Sequence, residues 1–198
     1  MTKRIFTAID IPEFERRSIF RLTERLRSEF PDARANWEKP EKLHLTLKFL
    51  GDIDEARLAE FIEAVEETSK KIRPFHLQTS GTGGVFPSAR KARVLWLGFA
   101  DETGSLPKLN EILESECEKR GFVREKREFK AHLTIARFRE KPNEFLVEQF
   151  LHTSRPPSPP FEISEITIYR SELLPHGSIY KVISKVKLKT EEQNADER

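Results

Sequence analysis

The chain has 198 residues, 37% of them hydrophobic and 34% charged, with 35 basic side chains against 33 acidic ones. That length predicts one compact unit with a real core, and the composition excludes a disordered chain. No apolar run approaches the roughly 18 residues that span a bilayer, and a net charge of +2 leaves any preference for a polyanion to local patches.

The opening MTKRIFTAIDIPEF is a poor signal peptide, because its short apolar stretch is interrupted by Asp10, Pro12 and Glu13. A cytoplasmic location is therefore expected. Arg4–Asp10 alternates as a strand, and Pro12 opens an amphipathic helix carrying Phe14, Ile19, Leu22, Leu26 and Phe30, which Pro31 stops. Leu43–Leu50 reads as a strand closed by Gly51, and Asp54 precedes a helix over Glu55–Lys71. FHLQTSG and ARVLWLGF read as strands separated by the turn-rich GTGGVFPSARK.

A further helix over Ser105–Arg120 ends at Gly121 and holds the single cysteine, Cys117. One cysteine excludes an internal disulfide and a cysteine-based zinc cluster, and it fits a reducing compartment. AHLTIARFR forms the next strand, Asn143–Leu151 a short helix, and RPPSPP a connecting loop. FEISEITIYRSEL and SIYKVISKVKL alternate as strands joined by a hairpin around Pro175–Gly177. The order predicts an α+β fold of two similar halves: residues 1–188 form one bilobal domain, and 189–198 a frayed polar tail.

His-Leu-Thr occurs twice, at His44–Thr46 and at His132–Thr134. In a strand alternate side chains share a face, so each copy presents an imidazole and a hydroxyl together while its leucine points to the core. With five histidines in the chain, about 0.3 His-x-Thr pairs are expected by composition, so one pair alone carries little and two nearly identical ones carry much. An imidazole titrates near neutral pH, so one of a pair can serve as base while the other serves as acid. Displacement at phosphorus needs that combination, and the Thr46 and Thr134 hydroxyls suit the non-bridging oxygens. No metal is required, and neither copy has the third ligand that a zinc or iron site adds.

HLTLKFLG and HLTIARF resemble the two HxTx signatures of the two-histidine phosphoesterase superfamily, and specifically its RNA 2′,3′-cyclic phosphodiesterase (2′-5′ RNA ligase) family. The resemblance extends in chain order through RIFTAIDIP, Trp37, GGVFPSARKARVLWLG, FKAHLTIAR and YRSELLPHGSIYKVI. It implies a bilobal fold in which two pseudo-symmetric halves of antiparallel sheet, with outer helices, flank a central cleft. It implies metal-independent hydrolysis of RNA 2′,3′-cyclic phosphate ends to 2′-phosphomonoesters, with reversible 2′-5′ ligation and no cofactor. By motif order it implies His44 as proton donor to the leaving 3′-oxygen, His132 as the acceptor that activates water, and Thr46 and Thr134 as phosphate ligands. The implied partner is an RNA end, tRNA fragments among the sources, and the expected state is a monomer without membrane attachment.

Arg137 stands where the second motif of that family often carries an arginine near the phosphate. Strict alternation places it on the face opposite His132, so it reaches the cleft only if the strand ends, twists or bulges around Ala136. Its counterpart Phe49 is open between a base-stacking surface and core, with core favoured. Lys48, Arg90, Lys91, Arg93, Lys126, Arg127 and Lys130 are candidates for the RNA backbone. Trp37 and Phe86 are candidates to stack on bases, and Trp96 is expected in the core. His76, His152 and His176 are assigned no chemistry. GTGGVFPSARK lacks the spacing of a triphosphate-binding loop. Two other functions use the same four side chains or the same cleft: phosphodiester hydrolysis of small cyclic nucleotides or ADP-ribose cyclic phosphate, and non-catalytic binding of RNA ends.

Overall fold

The computed structural model describes residues 3–152, 157–174 and 177–189. In chain order its elements are β1 (Lys3–Asp10), α1 (Glu13–Glu29), β2 (Ala35–Trp37), β3 (His44–Ile53), α2 (Glu55–Ser69), β4 (Phe75–Phe86), β5 (Val94–Ala100), α3 (Ser105–Lys119), β6 (His132–Phe138), α4 (Glu144–His152), β7 (Phe161–Ile163), β8 (Glu165–Leu174) and β9 (Gly177–Lys187). Single 3-10 turns at Pro40–Lys42 and Ala89–Lys91 complete the list.

These strands form two antiparallel sheets, one in the order β3-β1-β8-β9 and one in the order β2-β6-β5-β4-β7. The two orders correspond strand for strand once β2 is set aside, with β3 matching β6 and β1 matching β5. The expected two-half α+β architecture is present, yet its halves are not successive pieces of chain. The first sheet takes β1 and β3 from one end of the chain and β8 and β9 from the other.

The helices cross over as well. α2 packs on α3, and the two cover the first sheet through β8, β9 and β3. α1 and α4 cover the second sheet: Phe14 meets Phe161 edge-on, the Thr79 hydroxyl donates to the buried Glu15 carboxylate at 2.7 Å, and α4 packs on β4. One continuous apolar cluster results, with Ile5, Leu45, Phe61 and Leu113 on the first side and Leu77, Leu95, Leu133 and Phe150 on the second. Cys117 is fully buried in it, and burial pushes its thiol up to about 12. The Asp54 cap forms as expected, its carboxylate accepting from the Arg57 amide at 2.8 Å.

Three expectations need correction. The stretch GTGGVF is not a loop but part of β4, which runs through Phe86. Its glycines make room: a Cβ on Gly83 would lie 2.5 Å from the Phe150 ring, and one on Gly84 would lie 2.1 Å from Trp96. FEISEITIYRSEL is two strands rather than one, because the chain changes sheets at Ser164, β7 pairing with β4 and β8 with β1. The strand of the first His-Leu-Thr copy passes through Gly51, at φ 75, to Ile53. The tip of the expected hairpin at Pro175 and His176, Arg155 and Pro156 of the proline-rich connection, and residues 190–198 of the expected tail lie outside the described residues.

Candidate active site

β3 and β6 meet where the two sheets face each other, and both depart from simple alternation at the same place. In β3, Thr46 pairs with Ala8 while Lys48 pairs with Thr7, so Leu47 is an extra residue. In β6, Thr134 pairs with Trp96 while Ala136 pairs with Leu95, so Ile135 is extra. Such a bulge shifts the side-chain parity of everything after it. Leu45, Leu47 and Lys48 therefore turn inward, as do Leu133, Ile135 and Ala136. His44, Thr46 and Phe49 share one face, and His132, Thr134 and Arg137 share its counterpart.

All six line a single cleft of about 440 Å³. The bulge is what brings Arg137 there, to donate from Nη2 to the Thr134 hydroxyl oxygen at 3.3 Å. It also overturns two expectations from the first motif. Phe49 is 53% exposed at the cleft instead of buried in the core. Lys48, a candidate for the RNA backbone, is 5% exposed, and its ammonium donates to Glu114 of α3 at 2.6 Å and to the Val123 carbonyl at 3.0 Å.

The two histidines are held alike. Nδ1 of His44 donates to the Lys42 carbonyl at 2.6 Å, and Nδ1 of His132 donates to the Lys130 carbonyl at 2.7 Å. A carbonyl only accepts, so in each neutral ring the lone pair belongs to Nε2. Aromatic rings wall both. Phe6 and Tyr180 lie 5.0 and 5.4 Å from the His44 ring, and Phe86 and Trp96 lie 5.0 and 6.3 Å from that of His132. Burial holds both imidazoles below their ordinary titration range. At His44 the Lys42 carbonyl and the Asp10 carboxylate oppose that effect, whereas at His132 the Lys130 carbonyl opposes it and the charges of Arg137 and Lys130 reinforce it.

Several cleft residues carried no signal in the sequence. Glu38 lies 3.6 Å from Nε of Arg137, and burial raises its carboxyl above the usual range. Arg4 places its guanidinium 5.3 Å from the centre of the Phe49 ring, and its buried Nε has no hydrogen-bond partner among the described residues. Ser171, Ser178 and Tyr180 close the far side. Asp10, at the end of β1, pairs directly with His44.

Other candidates sort by what they touch. Trp96 is half-buried beside His132, stacked on Phe86 at 5.2 Å, rather than in the core, and the Lys130 ammonium sits 4.6 Å from its ring centre. Trp37 packs edge-on against Phe138 at 6.5 Å, on the margin of the core. Arg93 donates to the Arg139 carbonyl and Arg127 to Glu125, while Arg90, Lys91 and Lys126 are exposed away from the cleft lining. His76 and His152 are exposed, with Nδ1 of His152 donating to the Glu148 carbonyl at 2.8 Å. No helix among the described residues is long and apolar enough to cross a membrane.

A family described as LigT like Phosphoesterase matches residues 9–96 and 98–180. The chain is 35% identical to a Methanothermobacter thermautotrophicus protein named RNA 2′,3′-cyclic phosphodiesterase, across 91% of this chain and 96% of that one. It is 32% identical to a protein of the same name from Aquifex aeolicus, across 86% and 91%. Among solved structures, a Thermus thermophilus protein superposes with a TM-score of 0.76 at 26% identity, covering 95% of this chain and 99% of that one. The structure of Escherichia coli LigT complexed with 3′-AMP superposes with a TM-score of 0.71 at 26% identity, covering 96% of this chain and 100% of that one.

Proposed function

We propose that this chain, which belongs to the LigT-like phosphoesterase family, hydrolyses RNA 2′,3′-cyclic phosphate ends to 2′-phosphomonoesters with one imidazole as acid and the other as base. The observation that carries this is the pair of identically tethered histidines sharing one cleft, each with Nε2 left for chemistry. Binding alone has no use for a matched acid and base. The relatives' shared name supports RNA ends as the substrate class.

In this mechanism the cyclic phosphate sits between the two threonines. Thr46 and Thr134 donate to its non-bridging oxygens; because Arg137 donates to the oxygen of Thr134, that hydroxyl keeps its hydrogen for the phosphate. Arg137 adds a cation for the charge that accumulates at phosphorus. Neutral His132 takes a proton from water as the new P–O bond forms. Protonated His44 gives its proton to the 3′-oxygen as the P–O3′ bond breaks. Solvent exchange then resets both rings. A 5′-hydroxyl in place of water would give a 2′-5′ linkage by the same steps, which run equally in reverse.

The reading extends to a monomer acting on ends such as those of tRNA fragments in the cytoplasm, where a lone buried thiol stays reduced. Purified protein incubated in EDTA with RNA ending in a 2′,3′-cyclic phosphate should yield a 2′-phosphate and a free 3′-hydroxyl. An unchanged substrate, or a 3′-phosphate product, overturns it.

A further inference from the structure

We infer that Asp10 decides which of the two like-tethered histidines is the acid: its carboxylate is a positioning group that favours the proton on His44 over His132. The inference rests on the phosphodiesterase reading and supplies what its geometry leaves undetermined. The two rings share the same Nδ1 tether, but His44 is the more buried, with three aromatic rings around it against two at His132, so burial by itself would favour the proton on His132. A proton held preferentially on His44 therefore needs a fixed negative charge to oppose that burial.

Asp10 and His44 are directly opposed across β1 and β3. Directly opposed side chains leave one face of a sheet with Cβ atoms about 4.5–5.5 Å apart. The carboxylate is built in place by three donors from β8 and β9: the Tyr169 hydroxyl, the Thr167 hydroxyl at 3.0 Å and the Lys185 ammonium at 3.2 Å. Those donors favour the ionised form, and its carboxyl is held below the usual range despite partial burial. The matching position in the other half, opposed to His132 on β5, is Gly98. No carboxylate fits there without displacement, since even a Cβ would lie 2.9 Å from the Ser80 hydroxyl.

Glu41 and Glu162 also line a pocket with His44, as does Arg16, but Asp10 is the carboxylate that acts on its ring, and the other neighbours do not supply this charge. His132 and Arg137 on β6 repel an imidazolium. Lys42, ahead of β3, holds its ammonium 5.9 Å from the ring centre of Tyr180. Tyr169 and Tyr180 are phenols pushed above their ordinary range by burial, hence neutral, and Glu38 lies against Arg137. Lys185 works against Asp10 from the far side and is itself shared with Glu165.

The test follows both histidines by NMR titration of 13C-labelled rings, without substrate, in the wild-type chain, Asp10→Asn and Lys185→Met. Asp10→Asn should move the His44 midpoint to lower pH and leave that of His132 in place, whereas Lys185→Met should move His44 to higher pH. Equal movement of both histidines, or an unmoved His44 in either variant, overturns the inference, and the opposed signs keep it decidable should one variant fail to fold. These midpoints are read whether or not the chain hydrolyses RNA, so failure of the proposed reaction is a separate result. With cyclic-phosphate RNA in EDTA, Asp10→Asn should shift only the basic limb of the kcat profile downward. Turnover above that limb should fall about tenfold, with KM little changed. A uniform loss at every pH would mark a structural role instead.

Discussion

On one wall of the cleft a histidine stands opposite a carboxylate, with an exposed phenyl ring three residues past its threonine; on the other, a histidine stands opposite a glycine, with a guanidinium in the phenyl's place. The backbone device is the same on both walls, down to the carbonyl tether and the extra residue after the threonine. The side chains around it differ, and with them the charge and the depth of burial of each ring. Geometry therefore places two equivalent proton carriers about a phosphate, and electrostatics makes them unlike.

That contrast can be broken most severely at the histidines themselves. His44→Ala and His132→Ala should each lower turnover of a cyclic-phosphate RNA by about 10²–10⁴-fold in EDTA with circular dichroism unchanged. What residual activity remains should lose the basic limb of its pH profile in the first variant and the acidic limb in the second. Near-wild-type turnover from either would end the acid and base assignment.

The two residues exchanged by the first bulge should respond in opposite ways. Lys48→Met leaves the Glu114 carboxylate buried without its cation, and urea denaturation should register a loss of about 3–5 kcal/mol. Phe49→Ala should barely change stability, because the ring is already exposed, and should instead raise KM. On the opposite wall, Arg137→Met should lower kcat/KM by an amount equivalent to about 1.5–3 kcal/mol, the range for a hydrogen bond to a charged group. A KM change with kcat intact would place Arg137 in ground-state binding alone.

The smallest effect is on stability against pH. Both imidazoles titrate lower in the folded chain than in the unfolded one, so below about pH 6.5 the unfolded state binds more protons. Their contribution is complete above that pH and is lost as pH falls through the folded values. A His44→Gln, His132→Gln double variant should therefore lose less stability than the wild type between pH 7 and 5, as read by thermal melts, and an identical slope would contradict the burial seen here.

Much of this was legible from the sequence. Helix ends fell near their capping residues, and the doubled His-x-Thr pairs, both on strands, mark the two walls of the cleft. What stayed hidden has physical causes. A bulge has no compositional cue, so Lys48 and Phe49 carried the wrong faces and Arg137 an uncertain one. Glycines report the turns they permit as readily as the rings they accommodate, which disguised β4. Between Phe161 and Ile168 the apolar phase slips once, from Phe161 and Ile163 to Ile166 and Ile168 across the polar pair Ser164–Glu165, and so short a gap is easily read through as one strand although it marks the change of sheet. Asp10 looked like the polar end of a strand, because its significance lies in what stands across from it, 34 positions along the chain.

The extra residues Leu47 and Ile135 work as a phase slip in a two-beat code. A strand read in one frame offers its faces every second residue, and the slip lets one face collect a residue from each frame, at intervals of two and then three. Deleting Leu47 would restore the beat in the register the bulge already keeps, Lys48 opposite Thr7 and Phe49 opposite Phe6, so both faces would hold and the core would lose only its leucine. The chemistry of each wall is thus written across two frames, and only the fold reads both.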